Sequence, residues 1–255
     1  MRTATGLHVT VWGEGEPAVF VHGSFGWGEE TWAKQRPLAD SYRLLLVDRR
    51  GFGGSPPPDG PVDFDRDADD VADVLGDGAH LVGHSYGGVV SLLAAARHPD
   101  AVRSLTVIEP PALGLVREDP FVETFITGVD EAMRTADDPS DYRARFLRNF
   151  GFAGQPQELE GAGLEAARSS WNERNPADAQ IPLGALRGVR TLVVRGDWSK
   201  APSRAQERGQ TIFHAICDVL ERELDAESAI FPGAHNPQLL GAPFNERLRT
   251  FWEET

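Results

Sequence analysis

The chain is predicted to fold as an α/β domain, a mostly parallel central sheet with helices on both faces, interrupted by one helical insertion. Three observations predict it. Apolar strand-like runs alternate with helix-like segments through the first 111 residues, the order that builds parallel sheets. Two of those runs, "AVFVHG" and "LLLVD", are continuously apolar, as strands covered on both faces are. From about Ala112 to about Leu186 apolar strands stop, and they resume with "RTLVVRGD".

Taken in order, "LHVTVWG" alternates like a half-buried strand, and "PAVFVHG", "YRLLLVDRRG", "AHLVGHS" and "VRSLTVIEP" follow as further strands. "DRDADDVADVLGDG" and "GGVVSLLAAARHPD" lie between them as helices, the second stopped at His98-Pro99, where proline removes a donor and clashes with the preceding turn. "DPFVETFITGVDEAMRT" and "DYRARFLRNFGF" read as amphipathic helices of the insertion. The tail gives a strand, the helix "ERGQTIFHAICDVLERELD", the strand "ESAIFPGAH" and a closing helix. The expected division is a core over 1–111, a helical insertion over 112–186 after the sixth strand, and a core over 187–255. No internal repeat or low-complexity tract breaks this pattern.

Composition narrows the partners. Hydrophobic residues make up 40% and charged residues 25%, an ordinary globular balance. The net charge of −14 argues against nucleic acid or anionic membrane as a partner. A single cysteine, Cys217, excludes an intrachain disulfide, and its helical spacing makes it a core residue. The N-terminus enters a strand without a long apolar run, so neither a signal segment nor a membrane span is expected and a cytoplasmic protein is.

The chemistry concentrates at Gly83-His84-Ser85-Tyr86-Gly87, a G-x-S-x-G between a strand and a small-residue helix. That context makes a sharp turn which lifts the Ser85 hydroxyl clear of the sheet and aims the Tyr86 amide at the same point. A second amide for a developing oxyanion is expected from Ser24, with Phe25 next, in the loop "VHGSFGWG". A serine hydroxyl needs a base. Of seven histidines, His235 alone sits in a loop after a C-terminal strand, at the sheet edge where ligands bind, and is read as that base. His22 is expected to be a structural hydrogen-bonder, and His84 to point away from the Ser85 hydroxyl.

"HGSFGWG", "DRRGFGGS", "GHSYGG" and "PGAHNPQLLGAPFNERLRTFW" occur in the order and spacing of the α/β-hydrolase superfamily, and the chain resembles a capped serine hydrolase of that fold. The resemblance spans nearly the whole chain outside the insertion, which would be the cap. It implies a Ser85–His235 pair, and with serine as nucleophile it disfavours dehalogenase and epoxide hydrolase chemistry, for which relatives use aspartate. It also implies that Asp48 is part of a structural turn.

The family's usual acid follows a later strand as Gly-x-x-Asp, but here the third position after Gly196 is Ser199. Asp197 stands two residues short, roughly 7 Å of extended chain. Glu109, at the end of "VRSLTVIEP", is the expected acid instead, with Asp197 as the alternative. A minority of the superfamily, the zearalenone-lactonase group among them, is similar in carrying its acid there. Pro110 biases Glu109 towards extended backbone, and with Pro111 it ends the strand.

The expected activity is hydrolysis of a neutral, apolar small-molecule ester or lactone through Ser85, His235 and Glu109, with Phe25, Trp27 and Trp171 against the substrate. Carbon–carbon bond hydrolysis of a ketonic substrate, and a non-catalytic binding protein on the same scaffold, are the alternatives. Trp198 and Lys200 read as pocket rim or surface. "DFDRDADD" spaces Asp63, Asp65 and Asp67 like a calcium loop, but Ala68 and Val74 stand where glycine and glutamate are needed. No metal and no cofactor are expected.

Overall fold

The structure, a computed structural model, describes residues 1–254. Seven strands form one sheet in the order β1-β3-β2-β4-β5-β6-β7. They are β1 (Val9–Trp12), β2 (Glu16–Val21), β3 (Tyr42–Val47), β4 (Ala79–His84), β5 (Val102–Ile108), β6 (Thr191–Gly196) and β7 (Glu227–Phe231). Only β1 runs antiparallel, against β3. Every position of β4 and β6 is buried, as are the last four of β2 and of β3, which explains the continuous apolar runs in β2 and β3.

Ahead of β1 the chain makes a single antiparallel bridge, Arg2 with His8. One pair is too short for a strand, so β5 is the fifth strand in chain order and not the sixth. The long helices between β5 and β6 are α4 (Pro120–Thr135), α5 (Pro139–Asn149) and α6 (Gly161–Trp171), with the short α7 (Leu183–Leu186) leading into β6. Asp119 and Asp138 begin α4 and α5 by accepting hydrogen bonds from the amides of Phe121 and Asp141, each satisfying a donor the helix leaves unpaired. Elsewhere the helices are α1 (Gly28–Thr31), α2 (Phe64–Leu75), α3 (Tyr86–Arg97), α8 (Ser203–Gly209), α9 (Ala215–Leu224) and α10 (Ala242–Glu253).

One face of the sheet packs on α2, α3 and α9, including the fully buried Cys217. The other packs on α10 through Phe244, Leu248, Phe251 and Trp252, with Trp32 and Leu38 beside them. The acidic run is consumed by arginines: Arg49 takes Asp67, Arg50 takes Asp70, and Arg97 takes Asp65 and Asp69. Among the described residues no helix is long and apolar enough to cross a membrane.

Register sets the functional edge. His84 pairs with Ile108 and Ile108 with Val194, so Ser85 and Glu109 leave neighbouring strands at the same level. The Ser85 amide donates to Ile108 O (2.9 Å) and the Glu109 amide to Val194 O (3.0 Å).

Candidate active site

Ser85 has φ +52° and ψ −125°, a conformation costly for a residue with a side chain. Its neighbours make it possible. A Cβ on Gly83 would lie 2.3 Å from Ser91 Oγ, one on Gly87 2.3 Å from Val21 O, and one on Gly23 2.8 Å from Ser85 Cβ. Glycine at these positions lets strand, turn and helix close around the serine.

His235 Nε2 stands 2.9 Å from Ser85 Oγ, and its Nδ1 2.8 Å from Glu109 Oε2. The ionised carboxylate can only accept, so Nδ1 carries the proton and the Nε2 lone pair faces the serine hydroxyl. Glu109 is wholly buried. Its other oxygen, Oε1, accepts from the Gly196 amide and from Trp198 Nε1, both at 2.8 Å. The expected extended backbone at Glu109 is wrong, since φ is +42°. Three donors on one carboxylate and the last ladder bond to Val194 fix this residue from both ends, and together they outweigh the bias exerted by Pro110.

Asp197 lies elsewhere in the same loop. It accepts from Ser199 N (3.0 Å), Ser199 Oγ (2.8 Å) and Gly233 N (3.0 Å), and the amide of Ser199, followed by that of Gly233, holds its carboxyl below the usual carboxylate range. These bonds tie the β6 and β7 loops together and none reaches His235. Trp198, undecided from sequence, is a buried residue with φ +58°, whereas Lys200 is exposed. Gly209 makes room for Trp198, since a Cβ there would fall 2.1 Å from the indole.

The amide of Phe25 is taken by Ser170 Oγ at 2.8 Å. Those of Ser24 and Tyr86 have no hydrogen bond to another described residue. His84 Nε2 donates to His235 O at 2.9 Å, and burial, with His235 nearby, pushes its pKa down to about 3. It is a neutral brace for the His235 loop. His22 is likewise structural: Nδ1 donates to Gly23 O (2.7 Å), while Nε2 accepts from the Arg49 amide (3.1 Å).

The cavity at Ser85 is walled mainly by Pro111, Leu113, Phe125, Val129, Met133, Tyr142, Phe146, Phe150 and Phe213, with Glu173, Arg174 and Asn175 also on its wall. Phe25 lies on an adjoining, more open cleft with Ser85 and His235. The other two expected substrate contacts are absent from both walls. Trp27 packs on Phe52, Val62 and Ala166, and Trp171 stacks on Tyr142 while its Nε1 donates to Met133 O at 2.7 Å. Both are held by local packing behind the cavity. Glu173, which the sequence reading passed over, accepts from Ser24 Oγ (2.5 Å) and Arg49 (2.6 Å), and burial raises its pKa against the pull of Arg49. Its only sequence signal was a carboxylate in an aromatic-rich insertion, which resembles a solvated helix end.

A model of the Alpha/beta hydrolase family matches residues 18–245. The chain is similar to a pimeloyl-[acyl-carrier protein] methyl ester esterase of Methylococcus capsulatus, 30% identical over 214 residues that cover 79% of this chain and 78% of that protein. A 2-hydroxymuconate semialdehyde hydrolase of a Pseudomonas species is 40% identical over 114 residues, 41% of this chain and 39% of that protein. Other curated relatives, such as the Shewanella woodyi esterase and a probable lysophospholipase of Arabidopsis thaliana, are spanned over 44% and 28% of their own length. Among solved structures, an esterase from Exiguobacterium antarcticum superposes with a TM-score of 0.69 at 18% identity, over 99% of this chain and 98% of that one. Est816, an N-acyl homoserine lactone degrading enzyme, does so with a TM-score of 0.63 at 23% identity, over 96% of each chain.

Proposed function

The chain belongs to the alpha/beta hydrolase family, and from that premise we propose that it is a serine hydrolase of small carboxylic esters or lactones, working through Ser85, His235 and Glu109. The observation that carries this reading is the hydrogen-bonded row from Ser85 Oγ through His235 to Glu109. In the proposed reaction Ser85 Oγ attacks the carbonyl carbon while His235 Nε2 takes its proton. Glu109 keeps the imidazole in the required tautomer and stabilises its charged form. The amides of Ser24 and Tyr86 receive the oxyanion, pre-oriented so that little reorganises during the step. His235 returns the proton to the leaving alcohol, and a water then repeats the sequence on the acyl-enzyme.

The aromatic and aliphatic wall favours a substrate whose body beside the scissile bond is neutral and apolar. The esterase relative from Methylococcus supports ester chemistry, and the Est816 likeness is compatible with a cyclic ester. The semialdehyde hydrolase relative favours a second reading, carbon–carbon cleavage of a ketonic substrate with the same residues. Product analysis separates the two, since an ester yields an alcohol and a ketonic substrate does not.

The test is hydrolysis of a short p-nitrophenyl ester by the wild type and Ser85→Ala, with labelling by a fluorophosphonate probe read by intact mass. Turnover and an adduct in the wild type, both absent from Ser85→Ala, are expected. A wild type that neither turns over nor labels would overturn the reading in favour of a binding protein.

A further inference from the structure

We propose that Glu173 is a positioning residue that sets the oxyanion loop from the insertion's side; this rests on the reading of Ser85 as an acyl-transfer nucleophile. Besides the local bond from His22 Nδ1 to Gly23 O, the loop Gly23–Phe25 has three attachments, and each leaves the Ser24 amide free. Ser24 Oγ donates to Glu173 Oε2 at 2.5 Å, and the Phe25 amide donates to Ser170 Oγ at 2.8 Å. Arg49 closes the set, donating to Glu173 Oε1 (2.6 Å), Gly23 O (3.1 Å) and His22 O (3.1 Å), with its remaining arm on Asp67 (3.0 Å). Glu173 therefore receives the loop's hydroxyl and the arginine that grips the loop's carbonyls.

Glu173 is itself fixed. It lies opposite Val62 in a parallel bridge, with the Val62 amide on Asn172 O (2.9 Å) and the Arg174 amide on Val62 O (2.8 Å). Its exposure is only 6%, and a buried carboxylate is costly unless its partners are in place. Because a carboxylate accepts and never donates, it dictates that the Ser24 hydroxyl points into the insertion. The amide next to that hydroxyl is then left as the loop's donor towards the reacting oxygen. Displacing residues 170–173 carries the loop with them, so the seat of the insertion and the oxyanion geometry form one mechanical unit.

The experiment is a double-mutant cycle of Ser24→Ala and Glu173→Gln, each retaining the Ser24 amide, on the short p-nitrophenyl ester, with melting temperatures alongside. Removing a whole oxyanion donor costs roughly 10²–10³ in kcat, and a displaced donor less. Each single variant is expected to lose about tenfold or more in kcat with KM within about twofold. The double variant should be no worse than the worse single, since both changes cut one link. Effects that multiply, or a lowered melting temperature with wild-type kcat, would overturn the proposal and leave Glu173 a structural brace. Hydrogen exchange of the amides at 23–27 supplies a readout independent of turnover. If the wild type is neither active nor labelled, the hydrolase reading fails alone, while loop amides exchanging at the wild-type rate in Glu173→Gln sink the positioning role by themselves.

Discussion

The indole Nε1 of Trp198 donates to Glu109 Oε1 at 2.8 Å, on the oxygen that His235 does not use. The acid proposed to orient the base is thus itself oriented by a buried tryptophan from the next strand's loop. Trp198→Phe keeps the ring and deletes the donor. It is expected to cost about 1–3 kcal/mol for the under-satisfied carboxylate and to lower kcat several-fold at constant KM. Gly209→Ala should act in the same direction by pressing a Cβ into the indole. Urea unfolding and steady-state kinetics check both, and wild-type kcat in Trp198→Phe would refute the coupling.

The two candidate acids separate cleanly by substitution. Glu109→Gln leaves shape but removes the charge facing the imidazole, and kcat should fall by roughly 10⁴. Asp197→Asn weakens bonds to Ser199 and Gly233 that join two loops. Its expected signature is a loss of about 1–2 kcal/mol in stability with turnover within a few-fold of wild type. The reverse pattern, with Asp197→Asn inactive, would return the role to the loop after β6.

Substrate preference should respond to the cavity wall and not to the tryptophans behind it. Phe125→Ala or Met133→Ala enlarges the chamber at Ser85 and is expected to shift preference towards longer acyl or alcohol chains in a p-nitrophenyl and lactone series. Trp27→Ala, in a separate small cluster, should leave the ranking of substrates unchanged whatever it does to stability. A changed ranking in Trp27→Ala would place that side chain on the substrate after all.

His84 predicts a pH dependence of stability. Its folded pKa is pushed down to about 3 by burial and by His235, from an ordinary 6.5. Between those values the unfolded chain binds a proton that the native protein refuses, so this group's contribution falls as pH falls. The slope approaches about 1.4 kcal/mol per pH unit. Asp67, raised to about 6 by burial, works in the opposite sense between 3.8 and 6, so total stability is a poor readout. The difference in unfolding free energy between wild type and His84→Gln isolates His84. It should be constant above pH 7 and move in favour of the glutamine variant on acidification. A difference independent of pH would refute the assignment.

The sequence by itself determined the sheet and pointed to Ser85 and His235 as the proposed nucleophile and base. Continuous apolar runs specify buried parallel strands because only residues covered on both faces gain from being apolar throughout. The serine turn was legible because local backbone strain and crowding demand glycine at 83 and 87, and that demand is written within five residues. His235 was legible from its place after the last strand. Only the tertiary structure decided which groups surround Glu109, Asp197, Trp198 and Glu173. Glu109 and Glu173 are defined by donors far away in the chain: Glu109 by Gly196, Trp198 and His235, and Glu173 by Ser24 and Arg49. The two tryptophans expected against the substrate but placed outside the cavity at Ser85 show the same gap. An aromatic side chain buries equally well in a cavity wall or behind it, and nothing in its neighbours along the chain distinguishes the two until the helices are packed.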